Sequence, residues 1–299
     1  MEKSYNWLDN FLICPVCKQD LSRDEKALSL SCKACNQKYE IIELVPVLLP
    51  AIRTGSETSE ESFNYYEHYS KDAEIFDYFE LRHGATADDE RRVHEYITSI
   101  IPVKPNTVLD VGCGRAWLAR DLNSKGIFVC SMDISVANPA KAIKKYSSAY
   151  HSSLVADAFF LPFRDNSFDC IVASEIIEHV NAPDDFVKEL FRCLKSGGTL
   201  IISTPYKEVL QYSLCVHCNQ KTPHNAHLHS FDENILRVLY QGEDLKAFEW
   251  KVFGNKILLH LRTYILLKYF PFGIWKLIDK FFNLLHNKPA HIIVKFVKR

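Results

Sequence analysis

The sequence predicts an α/β protein: an open, mostly parallel sheet wound with helices, behind a small metal-held ribbon. Three observations carry this. From about residue 105 onward, apolar runs of strand length alternate with helical patterns. The run Val108 to Val111 passes into Gly112-Cys-Gly114 and then a helical stretch, Trp117 to Leu122. Glycines at such a turn let a ligand approach the backbone, and the following helix offers free N–H groups. Four cysteines stand in two Cys-x-x-Cys pairs within the first 35 residues.

The chain has 299 residues, enough for one large domain and an appendage. A net charge of −1 gives no bulk signal for nucleic acid. No apolar segment follows Met1-Glu-Lys-Ser as in a secretion signal, and no run of about 20 apolar residues reads as a membrane span. Six of the ten cysteines fall in three Cys-x-x-Cys pairs. That usage suits metal in a reducing compartment, so a cytoplasmic setting is expected.

Residues 1–50 form the predicted ribbon. Cys14-Pro-Val-Cys17 and Cys32-Lys-Ala-Cys35 are spaced for four thiolates around tetrahedral zinc. A segment this short has little core, and metal supplies its folding energy. A closed four-cysteine site is structural, because it leaves no position for substrate. A strand is expected from Ala27 to Ser31, and the extended apolar piece Tyr39 to Pro50 can pack on another domain. The arrangement resembles the small zinc-ribbon proteins that bind and activate tRNA and protein methyltransferases, fused here in cis. Ribosomal-RNA guanine methyltransferases carry an N-terminal zinc finger of similar look.

A polar stretch, Thr54 to Ser62 within 51–62, reads as a linker. The segment Phe63 to Phe79 is rich in Tyr and Phe. Asp88 to Ile101 reads as an amphipathic helix, with Val93, Tyr96, Ile97 and Ile100 on one face.

The glycine turn lacks the third glycine of a dinucleotide fingerprint, since Arg115, Ala116 and Trp117 follow Gly114. With Asp110 before it, the turn resembles motif I of the class I S-adenosylmethionine-dependent methyltransferases. Ala116 stands where many members have glycine. Further strands are expected at Gly126 to Asp133, Leu154 to Ala158, Cys170 to Ser174 and the run ending at Pro205. Asp133 lies 23 residues after Asp110 and ends the second strand, where an acid can accept ribose hydroxyls. The resemblance covers about residues 105–206 and implies a Rossmann-like seven-stranded methyltransferase sheet across 63–299. It assigns Asp110, Gly112, Gly114, Asp133, Asp157 and Ala158 to the cofactor, with Asp157 accepting from the adenine amino group. It also implies that the aromatic segment before the domain closes over cofactor and substrate. Plain aromatic packing is the other reading of that segment.

After the fourth strand comes Ser174-Glu175-Ile-Ile-Glu178-His179. On a helical turn, Glu175, Glu178 and His179 face one way. They can hold a divalent cation or act as acid and base. The motif resembles the Glu-x-x-Glu-His of ubiquinone-biosynthesis O-methyltransferases and of small-RNA 3′-terminal ribose 2′-O-methyltransferases. In those families a later histidine joins the metal, which points here to His229 and to Mg²⁺ or Mn²⁺. The alternative has His179 as base and Glu178 orienting it, with no cation. Cys215-Val-His-Cys218 follows, with His224 and His227 close behind. Two thiolates and two histidines make a second zinc site; a substrate lid with incidental thiols is the other reading.

The last two strands are expected at Lys246 to Phe253 and His291 to Val297. Between them lies a helical insertion, 255–287, with helices at Lys256 to Phe270 and Gly273 to Leu285. Residues 250–299 carry ten Lys and Arg against one acid, Asp279. Such a basic, aromatic segment suits a membrane interface with anionic lipid, RNA phosphates, or a helical cap at the sheet or a dimer contact. The Asn/Asp-Pro-Pro-Tyr element of many amino-group methyltransferases is absent after strand four, which favours oxygen as acceptor. The function expected is S-adenosylmethionine-dependent O-methylation of a hydroxyl on a small or lipid-linked molecule. RNA methylation, with the ribbon and basic helices gripping phosphate, is the alternative.

Overall fold

The computed structural model describes residues 7–24, 28–50, 64–216 and 219–299. The proposed linker and Cys218 lie outside the described residues. In chain order the elements are β1 (Leu21–Asp24), β2 (Ser29–Cys32), β3 (Lys38–Ile42), β4 (Val45–Leu48), α1 (Tyr65–Ile75), α2 (Gly84–Ile100), β5 (Thr107–Val111) and α3 (Trp117–Leu122). Then come β6 (Phe128–Asp133), α4 (Ala137–Lys145), β7 (His151–Ala156), β8 (Phe168–Ser174), α5 (Pro183–Cys193) and β9 (Leu194–Pro205). The remainder is β10 (Tyr212–Leu214), β11 (Lys221–Pro223), α6 (Glu233–Val238), β12 (Leu245–Asn255), α7 (Lys256–His260), α8 (Tyr264–Leu267), α9 (Phe272–Leu285) and β13 (Pro289–Lys298).

The chain divides into two compact units. The first comprises Met1–Glu80, Lys104–Val172 and Glu189–Ser196. Its strands neighbour one another in the order β1-β2-β3-β4-β7-β6-β5-β8. All five residues of β5 and all six of β7 are buried, as expected of parallel strands covered on both faces. Each fully buried Val or Leu there contributes about 1.5–3 kcal/mol.

The ribbon is part of this unit. β4 pairs parallel with β7, Val47 opposite Val155 and Leu48 opposite Ala156. The Ile13 N–H donates to Pro162 O at 2.9 Å, and Lys18 Nζ donates to Leu161 O at 3.0 Å. Trp7 packs on Phe128 with ring centroids 5.1 Å apart. The apolar piece after the cysteines therefore does pack outside the ribbon, as an added strand.

The second unit comprises Leu81–Val103, Ala173–Lys188 and Gly197–Arg299. Here β9, β13 and β12 run antiparallel, Ile292 opposite Thr204 and Val294 opposite Trp250. Helix α2 stacks Tyr96 on Phe253 of β12, centroids 4.1 Å apart.

Beside the seven strands expected of the methyltransferase sheet, β5 to β9, β12 and β13, four more are present. The surplus is β1 to β4: the zinc-ribbon strands continue the sheet instead of standing apart from it. The insertion also differs. The expected helix Lys256 to Phe270 breaks into α7 and α8, because Arg262 takes a left-handed φ of 53° that an α-helix cannot propagate.

Candidate functional site

In the first unit, the sulfurs of Cys14, Cys17, Cys32 and Cys35 lie within 4.8 Å of one another. The Cys14 and Cys35 sulfurs are 3.5 Å apart and those of Cys17 and Cys32 are 3.4 Å apart, with no disulfide. Four converging thiols of this geometry fit tetrahedral zinc.

The residues expected to meet the cofactor also lie in this unit. β5 delivers Asp110, 2% exposed, and its Oδ2 has no hydrogen-bond partner. Burial, then the charge of Asp133, pushes its carboxyl well above the usual range. A buried acid with an orphaned oxygen fits a site completed by a ligand's donors. The turn after it holds Gly112 at φ 66° and Gly114 at φ 46°, both in the glycine-favouring region. A Cβ on Gly114 would come within 3.4 Å of the Tyr78 ring. Ala116 is left-handed as well, at φ 52°, which explains why a glycine suits that position.

Asp133 ends β6. Its Oδ1 accepts from Ser135 N–H and Ser135 Oγ, each at 3.1 Å. Its Oδ2 accepts from Asn138 Nδ2 at 3.1 Å and from Gly114 N–H at 3.3 Å. Burial raises this carboxyl and those donors oppose the rise. Asp157, just past β7, accepts from Phe159 N–H at 2.9 Å. Its other oxygen accepts from the hydroxyls of Tyr65, at 2.7 Å, and Tyr66. The aromatic segment thus reaches, through α1, the acceptor expected to meet adenine. Burial first and Asp157 next push both phenols upward, so they remain donors. Ala158 follows, half-buried.

The second unit carries an acid–base cluster. A single 3₁₀ turn, Ile177–His179, follows β8. Glu178, His179 and His227 converge, their ligand atoms within 4.8 Å of one another. Each has a fixed orientation. Thr204 Oγ1 donates to Glu178 Oε2 at 2.9 Å. His179 Nδ1 donates to Ala226 O at 3.3 Å, and His227 Nδ1 donates to Glu208 Oε2 at 2.5 Å. With both Nδ1 atoms donating, the lone pairs sit on Nε2. Glu178 is 1% exposed, and burial followed by the Glu175 charge pushes its carboxyl well above the usual range. A cavity of about 330 Å³ lies beside His227, lined also by Glu208, His224 and Lys256.

Two residues expected in this cluster are not among its converging ligand atoms. Glu175 takes φ 54° and Ile176 φ −126°, so the turn that would align Glu175 with Glu178 does not form. Glu175 instead accepts from Ser203 Oγ at 2.9 Å and lies 3.7 Å from His291 Nδ1. His291 Nε2 is 3.0 Å from Asp89. Flanked by two acids, and despite burial that lowers it, His291 is raised to about 10. His229 donates its backbone N–H to Glu178 O at 3.3 Å, but its ring packs by Phe231 and its buried Nε2 has no hydrogen-bond partner. The proposed second zinc site includes Cys218, which lies outside the described residues; among the described residues, no potential metal cluster joins Cys215 to His224 or His227. His227 is committed to Glu178 and His179.

Sequence reasoning passed over Thr204, Glu208 and His291. His291 alone left a trace, as a basic residue opening the apolar run of β13.

Residues 109–202 match the family described as methyltransferase domain, and residues 8–43 match the Trm112p-like proteins. A malonyl-[acyl-carrier protein] O-methyltransferase from a Marinomonas strain is 33% identical over 140 residues, 44% of this chain and 50% of the relative. The mitochondrial ubiquinone biosynthesis O-methyltransferase of Dictyostelium discoideum is 30% identical over 125 residues, 38% of this chain and 39% of the relative. An ajmaline N-methyltransferase from Rauvolfia serpentina is 32% identical over 105 residues, 33% of this chain and 36% of the relative. The chain spans half or less of the length of these relatives. Among solved structures, the PH0226 protein of Pyrococcus horikoshii aligns at a TM-score of 0.51 and 18% identity, over 77% of this chain and 99% of that one.

Proposed function

We propose that this chain, which carries a class I methyltransferase domain behind a Trm112-like zinc ribbon, transfers a methyl group from S-adenosylmethionine to a hydroxyl of a small or lipid-linked acceptor. The convergence of Glu178, His179 and His227, each held by its own partner, carries the reading. The sulfonium supplies an electrophilic methyl, so the protein's work is to orient the acceptor oxygen and take its proton.

Asp110, Gly112 and Gly114 form the cofactor turn, and Asp133 accepts from the ribose in place of its longer internal donors. Asp157 and Ala158 meet the adenine, with Tyr65 and Tyr66 yielding Asp157 or sharing it. His179 accepts the hydroxyl proton at Nε2 as the O–CH₃ bond forms. Glu178 and His227 fix the oxygen's position.

The donor set of one carboxylate and two imidazoles also fits a divalent cation. The Glu208–His227 and Thr204–Glu178 pairs match the outer support that orients metal ligands. A bound Mg²⁺ or Mn²⁺ would lower the acceptor's pKa. Cysteines gathered for zinc rather than paired in disulfides support a cytoplasmic setting. No described helix is long and apolar enough to cross a membrane.

The test is transfer of labelled methyl into fractionated cell extract. Label in a lipid or small-molecule fraction, as a base-stable methyl ether, supports the reading. Label confined to RNA would replace the acceptor class proposed.

A further inference from the structure

The helical insertion of the second unit is amphipathic in an inverted sense. On α9 the residues turned inward are Trp275 and the only acid, Asp279, which is 1% exposed. Asp279 Oδ1 accepts from Asn255 N–H at 2.7 Å. The residues turned outward are apolar: Ile274, Leu277, Phe281, Leu284 and Leu285 are all exposed, Leu277 by 68% and Leu284 by 84%. At 3.6 residues per turn they fill an arc of roughly 100°. Lys276 and Lys280 border that arc along one edge, both exposed. The segment before α9 continues the pattern, with Leu266 69% and Tyr269 77% exposed beside the exposed Lys268.

This face is held firmly. Arg92 of α2, 2% exposed, donates to Leu267 O at 2.6 Å and to Glu95 at 2.7 Å, and lies 4.9 Å from the centre of the Trp275 ring. Arg91 donates to Lys268 O at 3.0 Å. Two arginines therefore cap the end of α8 and seat α9 on α2, and the apolar arc is presented to solvent on a fixed frame.

We propose that the outward face of α8 and α9 docks on an anionic lipid bilayer, lying in its plane. Charge complementarity selects that occupant: the exposed side chains bordering the arc are cationic, and the one acid is turned inward. At 14 residues, α9 is about 21 Å long, too short to span. A lipid interface takes both halves of the pattern at once, apolar side chains below the headgroups and lysines at them. A two-fold contact between copies through this face would offer these lysines no acid from α9, whose one acid is buried. The proposal concerns where the protein sits and is independent of which hydroxyl it methylates.

The full chain should sediment with phosphatidylcholine vesicles that contain phosphatidylglycerol and stay in solution with phosphatidylcholine alone. Leu277→Glu with Phe281→Glu should abolish sedimentation while thermal melting and S-adenosylmethionine binding stay unchanged. Lys276→Gln with Lys280→Gln should weaken partition about thirtyfold at low salt. No sedimentation with either vesicle would overturn the proposal. So would concentration-dependent dimerisation, or binding to a mixed-sequence RNA oligonucleotide, that Leu277→Glu with Phe281→Glu removes in a protein indifferent to vesicles.

Discussion

Thr204 donates its hydroxyl proton to Glu178 across 2.9 Å, and both residues are only 1% exposed. The bond holds down a carboxyl that burial and Glu175 drive upward. Thr204→Val removes the donor and keeps the shape. A buried acceptor left unpaired costs about 1–3 kcal/mol. The variant should melt lower, bind S-adenosylmethionine normally and transfer methyl more slowly. A Thr204→Val protein with wild-type turnover would separate Glu178 from the chemistry.

His291 predicts a pH dependence. Its folded value is about 10, above the usual 6.5, because Asp89 and Glu175 flank it. A raised histidine contributes stability fully below the unfolded value and loses it as pH climbs through the folded one. Denaturant unfolding should therefore show a decline between about pH 6.5 and 10 that His291→Gln lacks. The gap between the two proteins should narrow across that window; a constant gap contradicts the pairing.

Zinc in the ribbon should act on the sheet as well as on the ribbon. Cys14→Ser with Cys17→Ser should remove one equivalent of zinc and expose β4 and β7, whose pairing begins at Val47 and Val155. Metal analysis and hydrogen exchange on β7 measure the two effects together. Full zinc content in the double variant would refute the four-cysteine site.

Asp133→Ala should weaken S-adenosylmethionine binding, since loss of a charged hydrogen bond typically costs about 1.5–3 kcal/mol. Asp133 also fastens Gly114, Ser135 and Asn138, so calorimetry is paired with a melting curve. Unchanged affinity in a folded variant would remove Asp133 from the cofactor site.

Local chemistry made much of this legible. The glycine turn, the acid ending β6 and the paired cysteines each express a constraint within a few residues, and α3 lies from Trp117 to Leu122 as its pattern predicts. Long-range choices were not legible. Helical spacing joined Glu175 to Glu178, but a left-handed φ at Glu175 and the pull of Ser203 and His291 turned it away. The sequence pointed to His229, and nothing local showed that Glu208, 19 residues before His227, would hold the His227 ring beside Glu178 and His179. The apolar face of α9 left a membrane interface, an RNA contact and a helical cap open in the sequence; the burial of Asp279, with Leu277 and Leu284 exposed, is a tertiary choice.

The central claim is that Glu178, His179 and His227 activate the acceptor oxygen. The most direct measurement is the rate of labelled methyl transfer by His227→Ala and His229→Ala proteins, each with zinc content determined in the same sample. The account predicts a loss of roughly 10²–10⁴-fold or more in His227→Ala, matching His179→Ala, with His229→Ala close to wild type. If His229→Ala is inactive and His227→Ala turns over normally in fully zinc-loaded protein, the site has been assigned to the wrong histidine.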